Sequence, residues 1–410
     1  MKLTHHVILG ALVAPCFIAA TTLAAADAPT ADTIGEAFAK GKVSVNVRGR
    51  YEGASQTALK DSDAYTVRTR LGFSTAPING FKASVEFEDI ASPNPDHYNQ
   101  AGINPGGAGR AVVADPVGSE LNQAWVAYTS GKTTATLGRQ RLVLDNARFV
   151  GDVGWRQNQQ TFDAFTLVDK SVDKLTLTYS YLDRINRVFG DRSTQGAWDS
   201  NSHLVNASYT GLPAGTLTGY AYLIDITSAG FTANSCATYG ASFAGAQPLS
   251  KELKLAYRAE YATQSDYGSS TLNYSTDYYL GELAAVTKPV TIGAGYEVLG
   301  TDHNVGFKTP LATLHAFDGW ADLFLATPAG GLHDTYGKVA TTLPGKIGLL
   351  AFYHSFETDT GVDLGKEWDV QLTHAFNKYF TGLVKYAKFD RDSTTVANVK
   401  KLWVQLEFAY

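Results

Sequence analysis

Four arginines stand in two short alternating runs near the start of the chain: Arg48 and Arg50 in VSVNVRGRY (43–51), Arg68 and Arg70 in AYTVRTRLGFS (64–74). Val47, Tyr51, Val67, Leu71 and Phe73 alternate with them, so extended backbone puts the cations on one face and the apolar side chains on the other. Guanidinium groups fixed side by side are donors for carboxylates and phosphates. Residue type extends this wet face to Arg139, Arg141 and Arg258, with Arg148, Arg156, Arg184 and Arg187 at strand-to-loop borders. Glu52, Glu86, Glu88, Glu260, Glu297, Asp369 and Glu407 join them as acceptors.

Two pairings follow from turn symmetry. The tight turn APING (76–80) brings Arg70 across from Glu86 or Glu88, an attraction worth about 0.2 to 1 kcal/mol. A symmetric first loop brings Arg48 across from Arg68, and like charges directly opposed in a strand pair are destabilising. The acid–base pairs alone describe a ladder that stiffens the wall. The arginine pair points to anion binding.

Strands that are apolar outside and cationic inside need a water-filled interior and an apolar exterior. Period-2 alternation recurs along the chain in about eighteen segments of membrane-strand length, including FKASVEFED (81–89), with Glu86 and Glu88 on its wet face. Tight turns at 76–80, 130–132, 211–215, 288–289, 343–346 and 377–378 alternate with longer polar joins at 90–118, 184–201 and 300–333. This rhythm predicts an all-β fold: a transmembrane antiparallel barrel of about 18 strands over residues 43–410, with short periplasmic turns and longer extracellular loops. The final KLWVQLEFAY alternates and ends on an aromatic residue, the form of a barrel-closing strand handed to the barrel-assembly machinery.

Composition fits export to a membrane. MKLTHHVILGALVAPCFIAATTLAAADAP has the charged start, apolar run and small-residue end of a signal peptide cleaved after residue 26, leaving a short N-terminal segment at 27–42. Tyr (22) and Phe (20) are frequent and no later segment is apolar enough to span as a helix, which fits a membrane barrel or a secreted β protein. The net charge of −5 offers no basic field for nucleic acid. Cys236 is expected to be a loop thiol, and no Cys/His cluster suggests a metal or cofactor.

GFKTPLATLHAFDGWADLFLATPAGGLHD (306–334) is too apolar for a solvated loop. Thr309 before Pro310 reads as a helix start, and Phe307, Leu311, Leu314, Phe317, Trp320 and Phe324 require burial. The insert is expected to fold inward as a constriction or to buttress the rim.

RGRYEG (48–53), YTVRTRLGF (65–73), LGRQRLVLDNARFVGDVGWRQNQQTFDAF (137–165) and FKTPLATLHAFDGWADLFLATPAGGLHDTYG (307–337) resemble the alginate-export outer-membrane porins. The resemblance implies an eighteen-stranded barrel in the outer membrane of a Gram-negative bacterium, conducting anionic oligo- or polysaccharide through an arginine-rich lumen. One feature departs from the family: its exporter is gated partly by a long periplasmic turn, and every such turn here is short. General solute uptake without alginate specificity is the alternative. A barrel enzyme is disfavoured, because no histidine is followed by serine two residues later, and adjacent His354 and Ser355 point to opposite faces.

Overall fold

A computed structural model describes residues 30–410. The signal-peptide assignment to residues 1–26 lies outside the described residues. A short helix, α1 (Ile34–Ala39), precedes the strands. Thr33 caps it by accepting from the Glu36 amide at 3.2 Å, and Glu36 accepts in turn from the Asp32 amide. Ala31 and Ala37 pack on Ala76 in the turn at the periplasmic end.

The strands begin with β1 (Lys42–Gln56), β2 (Ser62–Ser74), β3 (Phe81–Ala91), β4 (Gly118–Ser130), β5 (Thr133–Gln140) and β6 (Thr161–Asp169). Among the described residues, eighteen strands form one antiparallel sheet, and the last, Val399–Ala409, pairs back onto β1. Tyr410 exchanges two backbone hydrogen bonds with Val45, so the terminal aromatic completes the seam. Among the described residues the barrel sheet therefore has no free edge, which a membrane demands. The expected barrel is present, with tight turns at one end and longer loops at the other.

The outer wall is apolar as the alternation requires: Tyr65, Val67 and Leu71 of β2 are exposed, while Thr66 and Arg68 between them are buried. The interior is not an open tube. Residues 141–160 and 307–331 fold into it and meet: the Gly151 amide donates to Leu311 at 2.8 Å, and the Thr313 amide to Ala147 at 3.1 Å. Phe149 packs there among Tyr220, Tyr222, Tyr278 and Phe307, forming a dry core inside the barrel.

The insert at 307–331 contains no helix. Leu314, Asp318, Gly319 and Asp322 all take positive φ, which interrupts any right-handed run after Thr309 and Pro310. Cys236 is not a loop thiol; it is the fully buried first residue of strand Cys236–Pro248.

Candidate functional site

The register of β1 and β2 sets Arg48 directly opposite Arg68, both on the inner face and both nearly inaccessible. Arg48 has only neutral acceptors: Gln157 Oε1 at 2.9 Å, the Gly154 carbonyl at 3.1 Å and the Arg156 carbonyl. Arg68 reaches Asn46 and, at 3.3 Å, Glu407, while its Nε and Nη1 are buried without an acceptor. Arg50 donates to Gln405, lies 3.7 Å from Asp115 and stacks 4.2 Å over Trp155. Arg70 faces Glu88, as turn symmetry requires, bonding to it at 2.7 Å and to the Gln157 carbonyl at 3.2 Å. Glu86 accepts from Asn122 and Gln123.

Two of the expected wall arginines lie elsewhere. Arg139 faces outward: it shares the face of Leu137, which is 65% exposed, and makes a two-pronged bond to Asp163 on β6. Strand alternation permits nothing else two residues from a lipid-facing leucine. Arg184 and Asp199 extend the same outer ladder at the extracellular end. Arg141 lies beyond the end of β5, in the inward-folding segment, and binds Asp152. Arg258 is on the inner wall, held by Asp145 at 2.6 Å and Glu260 at 2.7 Å. Arg148 and Arg156 are not border residues but are buried within the 141–160 segment. Arg148 bridges Glu297 (2.6 Å) and Asp318 (3.0 Å); Arg156 bridges Glu52 (3.0 Å) and Asp322 (2.7 Å). Arg187 lies over Trp198 in the join after strand Leu175–Asn186.

The other inward segment grips the opposite wall through its backbone. The Trp320 amide donates to Asp369 at 3.0 Å and the Ala321 amide to Glu367 at 2.6 Å. Both carboxylates project inward from strand Asp363–Ala375. Gly319 makes this approach possible, since a Cβ there would stand 2.6 Å from a Glu367 carboxylate oxygen. Phe307 and Leu311 are fully buried, Trp320 and Phe324 nearly so, and Leu314 and Phe317 partly.

Where the two segments touch, His315 stacks on Trp155 with centroids 4.4 Å apart. Its Nε2 lies 2.8 Å from Lys385 Nζ and its Nδ1 2.6 Å from Asp322. A lysine ammonium can only donate, so Nε2 accepts, Nδ1–H donates and the ring is neutral. Burial holds the His315 pKa well below its usual value, with Lys385 acting in the same direction against Asp322. Burial alone would raise the Asp322 carboxyl; His315, Lys401 and Arg156 around it hold it well below the usual range.

Sequence reading missed the inward course of 141–160. Phe149, Val150, Val153 and Trp155 carried the signal, being apolar residues scattered through a stretch otherwise suited to a solvated loop. It also missed the Lys385, His315 and Trp155 contact, which joins three distant parts of the chain. A cavity of about 80 Å³ borders the plug, lined in part by Arg258, Lys338, Tyr336, Trp320 and Phe352.

The Alginate export family model matches residues 41–181. No curated protein matches the sequence. Among solved structures, Pseudomonas aeruginosa OpdK with vanillate aligns at a TM-score of 0.70 and 14% identity, covering 91% of this chain and 99% of that one. Acinetobacter baumannii OccAB2 aligns at 0.70 and 13%, covering 92% and 99%. Pseudomonas aeruginosa OccK9 (OpdG) aligns at 0.69 and 14%, covering 91% and 100%. The chain is thus a closed 18-stranded outer-membrane β-barrel with the fold of these proteins, and its residues 41–181 match the Alginate export family model.

Proposed function

We propose that this barrel is a selective channel for small anionic solutes, short uronate saccharides and related carboxylates, which move along its arginine wall. The observation that carries the reading is the opposed pair Arg48 and Arg68 on the inner face, with two Arg68 nitrogens lacking acceptors. Opposed like charges cost stability. Arg48 is satisfied only by neutral acceptors, and a carboxylate forms roughly twice as strong a bond. The vanillate in the OpdK structure is a carboxylate of the same class.

The plug bears on solute size. Two segments that fold into the lumen and meet there narrow it, which favours uptake of short solutes over export of a polysaccharide chain. An enzyme reading gains nothing from the geometry: His354 is buried inward beside Asp334, and Ser355 is on the other face of its strand. The experiment is single-channel recording in planar bilayers with a uronate trisaccharide and a neutral trisaccharide of equal length. The uronate should interrupt the current at concentrations where the neutral sugar does not; equal interruption by both would remove the anionic preference.

A further inference from the structure

Away from the arginine wall, three carboxylates from three parts of the chain converge. Glu297 of strand Val290–Leu299, Asp318 of the inward segment and Asp334 of strand Leu332–Leu343 each bring an oxygen within 4.8 Å of the other two. All three side chains are buried. Carboxylates this close cannot all stay ionised in a dry interior without positive charge among them. Arg148 supplies part, donating to Glu297 Oε1 and Asp318 Oδ2, and His354 lies 2.9 Å from Asp334. Asp318 Oδ1 is buried and has no donor. The cavity of about 80 Å³ is lined by all three residues, which leaves room beside them for an ion and a few waters.

We propose that Glu297, Asp318 and Asp334 form a binding site for a hard divalent cation, Ca²⁺ in particular, which fastens the inward segment to the wall. The donors are carboxylate oxygens, the ligands that Ca²⁺ and Mg²⁺ take, and the cavity supplies room for water to complete the shell. An ion about 2.4 Å from each oxygen bridges oxygens up to about 4.8 Å apart, whereas Mg²⁺ at about 2.1 Å requires a tighter octahedral set. Asp318 belongs to the plug, and Glu297 and Asp334 to the barrel, so the ion is a cross-link. An ion that binds only the docked arrangement stabilises it by mass action. This inference does not depend on which solute passes.

The competing way to relieve the cluster is a proton on Asp318, whose carboxyl is pushed up to about 7 by burial and by Glu297 and Asp334 beside it, against Arg148. Terbium separates the two. Folded barrel in detergent, stripped with EDTA, is titrated with Tb³⁺ while Trp320, which lines the same cavity, serves as sensitiser. Saturable emission displaced by Ca²⁺ more readily than by Mg²⁺ is expected. Asp318→Asn and Asp334→Asn should each weaken binding at least tenfold, while Asp199→Asn on the outer wall should not. Heat-modifiable migration checks that each variant is folded. Absence of saturable emission in the wild type, or wild-type affinity in both folded asparagine variants, would overturn the site.

Discussion

Two walls of the barrel hold the plug by the same device with opposite polarity. On β1 and β2, guanidinium groups grip backbone carbonyls of Gly154, Arg156 and Gln157. On strand Asp363–Ala375, carboxylates grip backbone amides of Trp320 and Ala321. In both places the wall supplies ionisable side chains and the plug answers with peptide dipoles. The walls differ in what is left over. The arginine wall keeps unanswered donors on Arg68, and the acidic wall keeps unanswered acceptors on Glu367 and Asp369. Both walls lie against the plug; what distinguishes them is that one has donors left for an anion and the other acceptors left for a cation or a proton.

The largest change should come from removing the plug. Deleting 311–324 takes away Leu311, Trp320 and Phe324 but no barrel strand, so insertion should persist and single-channel conductance should rise several-fold. Unchanged conductance would mean that this segment only buttresses the rim.

Next in size is loss of the ion pairs joining the two inward segments. Arg156→Met leaves Glu52 and Asp322 without their shared guanidinium, and breaking a buried pair from one side costs about 3–5 kcal/mol. Trypsin or a similar protease should then cut the 141–160 segment faster than in the wild type. Equal cutting would place the anchoring elsewhere.

A smaller effect is expected from pH. His315 is neutral when docked, with its pKa held below the ordinary value of about 6.5, so docking gains stability above that value. The undocked ring binds a proton first as pH falls, and the docked state loses stability from about 6.5 downward. Asp322, Lys385 and Arg156 surround the ring, and Asp322 stays ionised through this window. Recordings at pH 5 should show more frequent openings than at pH 7.5, and His315→Gln should flatten the difference.

The smallest effect belongs to Arg139→Ala. Arg139 faces lipid and the outer rim, so ion selectivity should match the wild type; a change comparable with that of an Arg68 variant would contradict the outward assignment.

The barrel was legible in the sequence because alternation, turn chemistry and the terminal aromatic are local signals repeated in every hairpin. The Arg70 and Glu88 pair was legible because a tight turn fixes register, and the Arg48 and Arg68 pair because the first loop is short and symmetric. Arg139 went astray where charge was followed in place of its alternation with Leu137. The plug was half legible: the apolar side chains of 307–328 announced burial, but positive φ at Leu314, Asp318 and Asp322 left no sequence signal strong enough against a helix start at Thr309 and Pro310. The contacts of Asp322, Lys385 and Lys401 and the Glu297, Asp318 and Asp334 cluster join residues far apart in the chain, and no local pattern encodes them.

If the inner arginines give the channel a preference for anions, the reversal potential across a salt gradient reads it out. On the proposed function, Arg48, Arg50, Arg68 and Arg70 would raise the anion concentration in the lumen, an effect that fades as salt rises past about 0.1 M, where the Debye length is near 10 Å. The wild-type channel should be anion-selective at low salt, and Arg48→Glu with Arg68→Glu should abolish or reverse that selectivity while insertion persists. Cation selectivity in the wild type, unaltered by the two substitutions, would contradict the account.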